Sequence, residues 1–298
     1  MRRVVFYLFI IAVFLAAPLA ALPRRGETAP AATPAPTATA EPTAAAPYRA
    51  VWVSYLEWQQ VDFSTPETFS GDIAVILDNI RDLGATVVLA QVRPFGDALY
   101  PSSYYPFSHL CTGQQGRDPG YDPLALLVQA AHDRGLALEA WVNPYRIQTG
   151  LTPALCDASP AKLHPDWVKY TDTGAYLDPA NTAVRQYIAD AVGELCDAAA
   201  RRYGVRFGVA PVGDPEQNYA LQYSDAARWL RQGTVDYLMP QLYWGQEYVK
   251  DGDTSHSLAR LAGAWAALPR AAGVRLYAGL GAYRIGAGDG SDAGSEWV

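Results

Sequence analysis

From Tyr48 onward, short β-branched or aromatic runs alternate with stretches of helical period. RAVWVSYLE (49–57) reads as a strand. PETFSGDIAVILDNIRDLG (66–84) reads as a helix with Ile73, Ile76, Leu77, Ile80 and Leu83 on one face and Gly84 as its stop. ATVVLAQVRPFGDALYP (85–101) is a second strand with a long exit, DPLALLVQAAHDRG (122–135) a helix, and LALEAWVNPYR (136–146) a third strand. A long loop is expected to about Asp178, which would N-cap the helix DPANTAVRQYIADAVGELCDAAARRYG (178–204). Three more strands follow, VRFGVAPVG (205–213), TVDYLMPQLYWG (234–245) and VRLYAGLGAYRIG (274–286). Helices over 223–233 and 256–273 separate them.

This βα rhythm predicts an α/β fold of the TIM-type (βα)8 barrel kind, with its site at the carboxyl ends of the strands. Six strands are recognisable where eight are needed, so the barrel is expected to be incomplete. The folded domain spans 47–298. Before it lie an apolar run with a basic start (1–22) and a Pro/Ala/Thr-rich linker (23–46). The first reads as a signal peptide or an uncleaved anchor, placing the protein outside the cell, secreted or held at the membrane by that segment alone. The linker buries too little apolar surface to fold.

A formal net charge of -7, with no basic cluster beyond the first residues, argues against a nucleic-acid partner. The three cysteines leave at least one unpaired. Cys111 and Cys156, both in expected loops, are either bridged or free, while Cys196 reads as a small buried hydrophobe. No Cys/His spacing suits a metal, and no cofactor is expected.

Alternation sorts the strand exits by face. Leu89, Gln91 and Arg93 share one face of the second strand, Glu139, Trp141 and Asn143 one of the third, and Met239, Gln241 and Tyr243 one of the strand near 240. Polar residues recurring on such a face either line a wet cavity or plug the barrel end. Arg93 and Asp97 form either an ion pair or a clamp on sugar hydroxyls. Trp141, Asn143, Tyr145, Gln241, Tyr243 and Trp244, with Gln91 and Arg93, would suit a saccharide cleft, since aromatic faces stack on sugar rings and planar polar groups bridge hydroxyls. Glu139, inside a strand, is either a buried acid with a role or a member of a buried pair. Asp236, at a strand start and so at the stability end of a barrel, is discounted, and Glu247 is a weak candidate.

RAVWVS, QVRPFGDALYPS, TGQQGRDPGYDPL, AWVNPYR, HPDWV, YLDPA, FGVAPVG, VDYLMPQLYW and GLGAYRIG together resemble the glycosyl hydrolase-like 10 family. The resemblance covers 48–286. It implies an exported TIM-barrel glycoside hydrolase acting on a cell-envelope or other polysaccharide by carboxylate acid/base hydrolysis. It also exposes a departure. In that family the helix matching Asn181–Asp197 leads to a fourth strand ending in paired aspartates, then a loop and another helix. Here Asp197 runs directly into AAARRYGVRFGVAP, and some fifty to sixty residues of a barrel of roughly 250 are missing. The strand resembling the seventh is also the last one recognisable, so the count of six follows. Hydrolysis needs two carboxyls about 5–5.5 Å apart for retention or about 6.5–9.5 Å for inversion. Glu139 and Asp97 are the catalytic candidates left. The alternative is a noncatalytic saccharide-binding protein on the same barrel.

Overall fold

The computed structural model describes residues 10–15, 48–150, 153–203, 205–222 and 224–297, with the backbone alone at 10–15, 196–203, 205–206 and 221–222. The rest of segment 1–22, the linker 23–46 and the side chain of Cys196 lie outside the described residues. In chain order the elements begin with strand β1 (Ile10–Leu15), β2 (Ala50–Val53), helix α1 (Tyr55–Trp58) and α2 (Pro66–Asp82). There follow β3 (Val87–Arg93), α3 (His109–Thr112), α4 (Pro123–Asp133), β4 (Ala137–Val142), β5 (Arg146–Gln148) and α5 (Pro160–Leu163). Next come β6 (Val168–Thr171), β7 (Gly174–Leu177), α6 (Thr182–Tyr203), β8 (Val205–Ala210), α7 (Pro215–Gln222) and α8 (Ala226–Gln232). Last are β9 (Tyr237–Leu238), β10 (Gln241–Leu242), α9 (Leu258–Ala267), β11 (Arg275–Leu276) and β12 (Gly279–Leu280).

Seven strands form one sheet in the order β11-β9-β8-β1-β4-β3-β2. All run the same way except β1, which pairs antiparallel with β4 on one side and β8 on the other. β3 is buried at all seven positions, with Val88, Ala90 and Val92 against helices and Leu89, on the other face, against Tyr237 and Met239. Among the described residues no backbone pairing joins the edge strands β2 and β11, so the barrel expected from the strand rhythm is not closed. The edges still approach through side chains. Tyr48 stacks on Tyr277 at 4.1 Å, and a Cβ on Gly279 would lie 2.7 Å from the Trp52 ring.

Two cores pack the helix-covered face of this sheet, and a smaller cluster of Leu89, Tyr237 and Met239 packs the other. The larger joins the outer face of β3 and β4 to α2, α4 and the part of α6 around Ala191 and Leu195. The second core joins Val209, Leu238 and Leu242 to α8 and α9 through Leu230, Leu261 and Trp265. N-caps set the helix starts: Thr65, Asp122, Asp225 and Ser257 each accept an amide of the first turn, about 1 kcal/mol apiece.

Several sequence expectations are corrected. The first strand ends at Val53, because Ser54 and Glu57 form a capping box that turns the chain into α1. The expected loop up to Asp178 contains the antiparallel sheet β5-β7-β6. Asp178 caps a turn at Ala180 and pairs with Lys169 at 3.3 Å, whereas Asn181 accepts the Ala183 amide at the helix start. α7 lies where no element is expected. Of the two alternatives left open for Cys111 and Cys156, the structure has the free thiols.

Candidate functional site

The loops following β2, β3 and β4 converge beyond the carboxyl ends of those strands on a cavity of about 220 Å³. Tyr55 and Gln59 come from the first, Phe95, Asp97, His109 and Gln115 from the second, and Ile147, Gln148, Thr149, Pro153 and Leu155 from the third. The walls are held by backbone bonds, Gly96 to the Ile147 carbonyl at 3.0 Å between two loops and Ala98 to that of Pro106 at 3.0 Å within one.

Asp97 is fully buried and the one carboxylate in this lining. Its Oδ2 accepts from Gln115 Nε2 at 3.3 Å and lies 3.0 Å from His109 Nδ1. Its Oδ1 is buried and has no partner among the described residues. Burying a carboxylate oxygen unpaired is costly. Gln115 in turn fixes the loop carrying Cys156, accepting that residue's amide at 3.0 Å. The ring of His109 lies 5.5 Å from that of Phe95, which packs on Tyr55 at 5.2 Å, with the Arg146 guanidinium over both.

A half-buried aromatic group continues from there along the same end of the sheet. Trp52 meets Trp141 at 6.5 Å and Tyr243 at 6.4 Å, and Tyr243 meets the exposed Tyr283 at 5.7 Å. Trp141 Nε1 donates to Asn143 Oδ1 at 2.9 Å, while Asn143 Nδ2 and Arg146 Nε share the Pro94 carbonyl. Gln91 Oε1 accepts the Tyr55 amide and Gln241 Nε2 donates to the Ala210 carbonyl at 3.1 Å. Trp52 Nε1 and Gln91 Nε2 are buried donors with no partner among the described residues.

The structure therefore distributes the residues singled out in the sequence. Asp97 alone of them lines the cavity. Gln91, Trp141, Asn143, Gln241 and Tyr243 gather beside it in the aromatic group, and Trp244 packs further out against Tyr248 and His256. Tyr145 joins the small core under β5 and β7, where burial pushes its hydroxyl pKa up. Glu139 is fully buried lower in the sheet, level with Leu89, and accepts from Tyr48 at 2.6 Å and Tyr237 at 3.2 Å. Burial first, and then the Glu139 charge, push the Tyr237 hydroxyl well above its ordinary pKa.

Arg93 does not pair with Asp97. The register against β4 shifts between Gln91 and Arg93, and this bulge takes Arg93 off the face it would share with Leu89 and Gln91. Its guanidinium sits 4.4 Å over the Tyr105 ring, fully buried, near Tyr100 but without an aligned hydrogen bond to it. Burial opposes its charge, and the neighbouring tyrosine hydroxyls outweigh that. Cavity residues that face-sorting misses are Tyr55, His109, Gln115 and Gln148. Gln115 sits in an irregular segment and the others in elements of three or four residues, too short for period to carry a signal, although RAVWVS and TGQQGRDPGYDPL flank or contain three of them.

The profile of the family described as Glycosyl hydrolase-like 10 matches residues 47–205 and 196–298. The two pieces overlap over 196–205, where the sequence reading puts the missing block. Glycosyl hydrolase YngK of Bacillus subtilis (strain 168) is 28% identical over 315 residues, covering 80% of this chain and 61% of that protein. Glycosyl hydrolase DigH of Escherichia coli (strain K12) is 29% identical over 333 residues, covering 80% of this chain and 74% of that protein. The chain thus spans about three fifths of the length of the first relative. Since 80% of 298 residues is about 238, the 315 aligned positions include more than 70 at which this chain has no residue.

Proposed function

Because the chain belongs to the glycosyl hydrolase-like 10 family, we propose that it engages a polysaccharide or oligosaccharide at the cavity and aromatic group beyond β2, β3 and β4. The open sheet is read as a (βα)8 barrel without its fourth strand. The observation that carries the reading is the set of buried polar atoms left without partners along this surface: Asp97 Oδ1 as acceptor, Gln91 Nε2 and Trp52 Nε1 as donors. Sugar hydroxyls act as both donor and acceptor, and ring faces stack on Trp52, Trp141 and Tyr243. No cofactor enters this scheme.

Hydrolysis is a different demand. Asp97 would serve as one carboxyl, but Glu139 is held by Tyr48 and Tyr237 inside the sheet and is not part of the cavity lining. That arrangement favours the second reading for this chain as it stands, a saccharide binder whose hydrolytic partner acids belong to the missing fourth strand. Calorimetric titration with soluble oligosaccharides of several linkages, beside a reducing-end assay, separates the readings. Binding without reducing-end release is expected, and Asp97→Asn should weaken it about tenfold, the ~1.4 kcal/mol of one charged hydrogen bond. No binding by any oligosaccharide would sink the proposal. Release at a normal rate would show that Asp97 and Glu139 suffice. Where the protein acts depends on the fate of residues 1–22.

A further inference from the structure

The cavity beyond β2, β3 and β4 carries an uneven set of hydrogen-bonding groups. Asp97 is its one carboxylate, and among the described residues no lysine or arginine lines it. The guanidinium of Arg146 lies over the Tyr55 and Phe95 rings, outside the lining, and its Nε donates to the Pro94 carbonyl. The two buried amide side chains already use their nitrogens. Gln115 Nε2 donates to Asp97 Oδ2 at 3.3 Å and Gln148 Nε2 to the Pro153 carbonyl at 3.4 Å. Three acceptors are left. Asp97 Oδ1 is buried without a partner among the described residues. With its nitrogen engaged, Gln148 offers Oε1. A proton on His109 Nδ1, 3.0 Å from Asp97 Oδ2, makes Nε2 the acceptor of that ring.

We infer that this cavity selects a sugar bearing a free, positively charged amine, and that Asp97 is the residue that reads it. The inference rests on the saccharide reading above and names the class of sugar. An ammonium group brings three donors and no acceptor, the complement of the lining. Its charge also offsets the buried carboxylate, and a hydrogen bond between ions is about twice as strong as a neutral one. A hydroxyl in the same place supplies one donor and no charge. An acetamido group supplies one N–H and adds a carbonyl, an acceptor set against acceptors. The cavity of about 220 Å³ is smaller than the ~300–1,000 Å³ of pockets that enclose a whole drug-sized ligand. One ring therefore enters, and its neighbours in the chain lie along Trp52, Trp141 and Tyr243.

Calorimetric titration of the full chain at pH 7 tests this, with tetramers of glucosamine, N-acetylglucosamine and glucose that share one linkage. The glucosamine tetramer should bind at least tenfold tighter than either of the others. That preference should survive about 0.5 M salt, which screens the general attraction of a cationic sugar to a chain of net charge -7 but reaches a buried pair far less. Asp97→Asn should weaken the neutral tetramers about tenfold and the glucosamine tetramer about a hundredfold, erasing the preference. The comparison of the three sugars on the wild-type chain decides even if that variant does not fold. Equal affinity for all three, or tighter binding of an uncharged tetramer, overturns the inference and leaves the saccharide reading standing. A preference that vanishes in salt, or that Asp97→Asn retains, overturns it in the same way. No binding by any tetramer overturns both.

Discussion

Asp97 and Glu139 are both buried carboxylates, yet their surroundings give them opposite prospects. Asp97 has one oxygen without a partner among the described residues, while the two tyrosines that hold Glu139 pack around it at the level of Leu89 and Met239. Tyr237→Phe should therefore lower stability by roughly 1–3 kcal/mol in denaturant titration, because the carboxylate would lose a buried donor. Saccharide binding should be unaffected. Cys111 offers a pH handle. Burial first, with Asp97 adding to it, pushes its thiol up to about 12 from an ordinary value of 9.0. Between those values the unfolded chain releases the proton and the folded chain holds it, so this group's contribution is intact below pH 9 and lost as pH rises toward 12. Compared at pH 8 and pH 10.5, the wild-type chain should lose more stability than Cys111→Ala. Residue identities made both carboxylates visible in the sequence. Their partners were not, since Tyr48, His109 and Gln115 stand 91, 12 and 18 residues away along the chain.

Elements with a strong period were legible. α2, α4 and α9 fall where apolar spacing and a cap residue or Gly stop agree, and β3, β4 and β8 where β-branched runs do. The antiparallel sheet of β5, β6 and β7 escaped notice because its strands are three or four residues long, too short for alternation to register. The bulge at Gln91/Arg93 was equally silent, and it alone decides where Arg93 points. Close approach between elements leaves a clearer mark at Gly208 on β8. A Cβ there would fall 1.9 Å from the Tyr237 ring of the neighbouring β9. Gly208→Ala must displace that ring and with it the donor to Glu139, so a loss at or above the ~1–3 kcal/mol usual for overpacking is expected in thermal melts. A melt equal to wild type would mean that the two strands sit farther apart than described.

At the level of the whole molecule, the missing block leaves two cores that share no buried residue. α6 joins the larger core to the small one under β5 and β7, running as one 22-residue helix, about 33 Å long, with a single residue between its end and β8. Its continuous apolar period is why the joint looks ordinary in sequence, and only the strand count and the family's order of motifs reveal the gap. Inserting the corresponding block of a relative between Asp197 and Ala198 should expel β1, supply the absent acids and produce reducing-end release from a substrate the parent only binds. Failure of such a chimera to fold or cleave would count against a simple one-block deletion.

The place of β1 also reverses the order in which the chain is made and assembled. Residues 10–15 emerge first from the ribosome, but one of their partners, 205–210, is synthesised almost two hundred residues later. At about 5–20 residues per second, the segment waits on the order of ten seconds or more with nothing to pair with. Contacts this distant in sequence also close slowly. The sheet of this protein is thus finished by its oldest residues, and during that wait an export receptor or a second nascent chain has the first opportunity to take them.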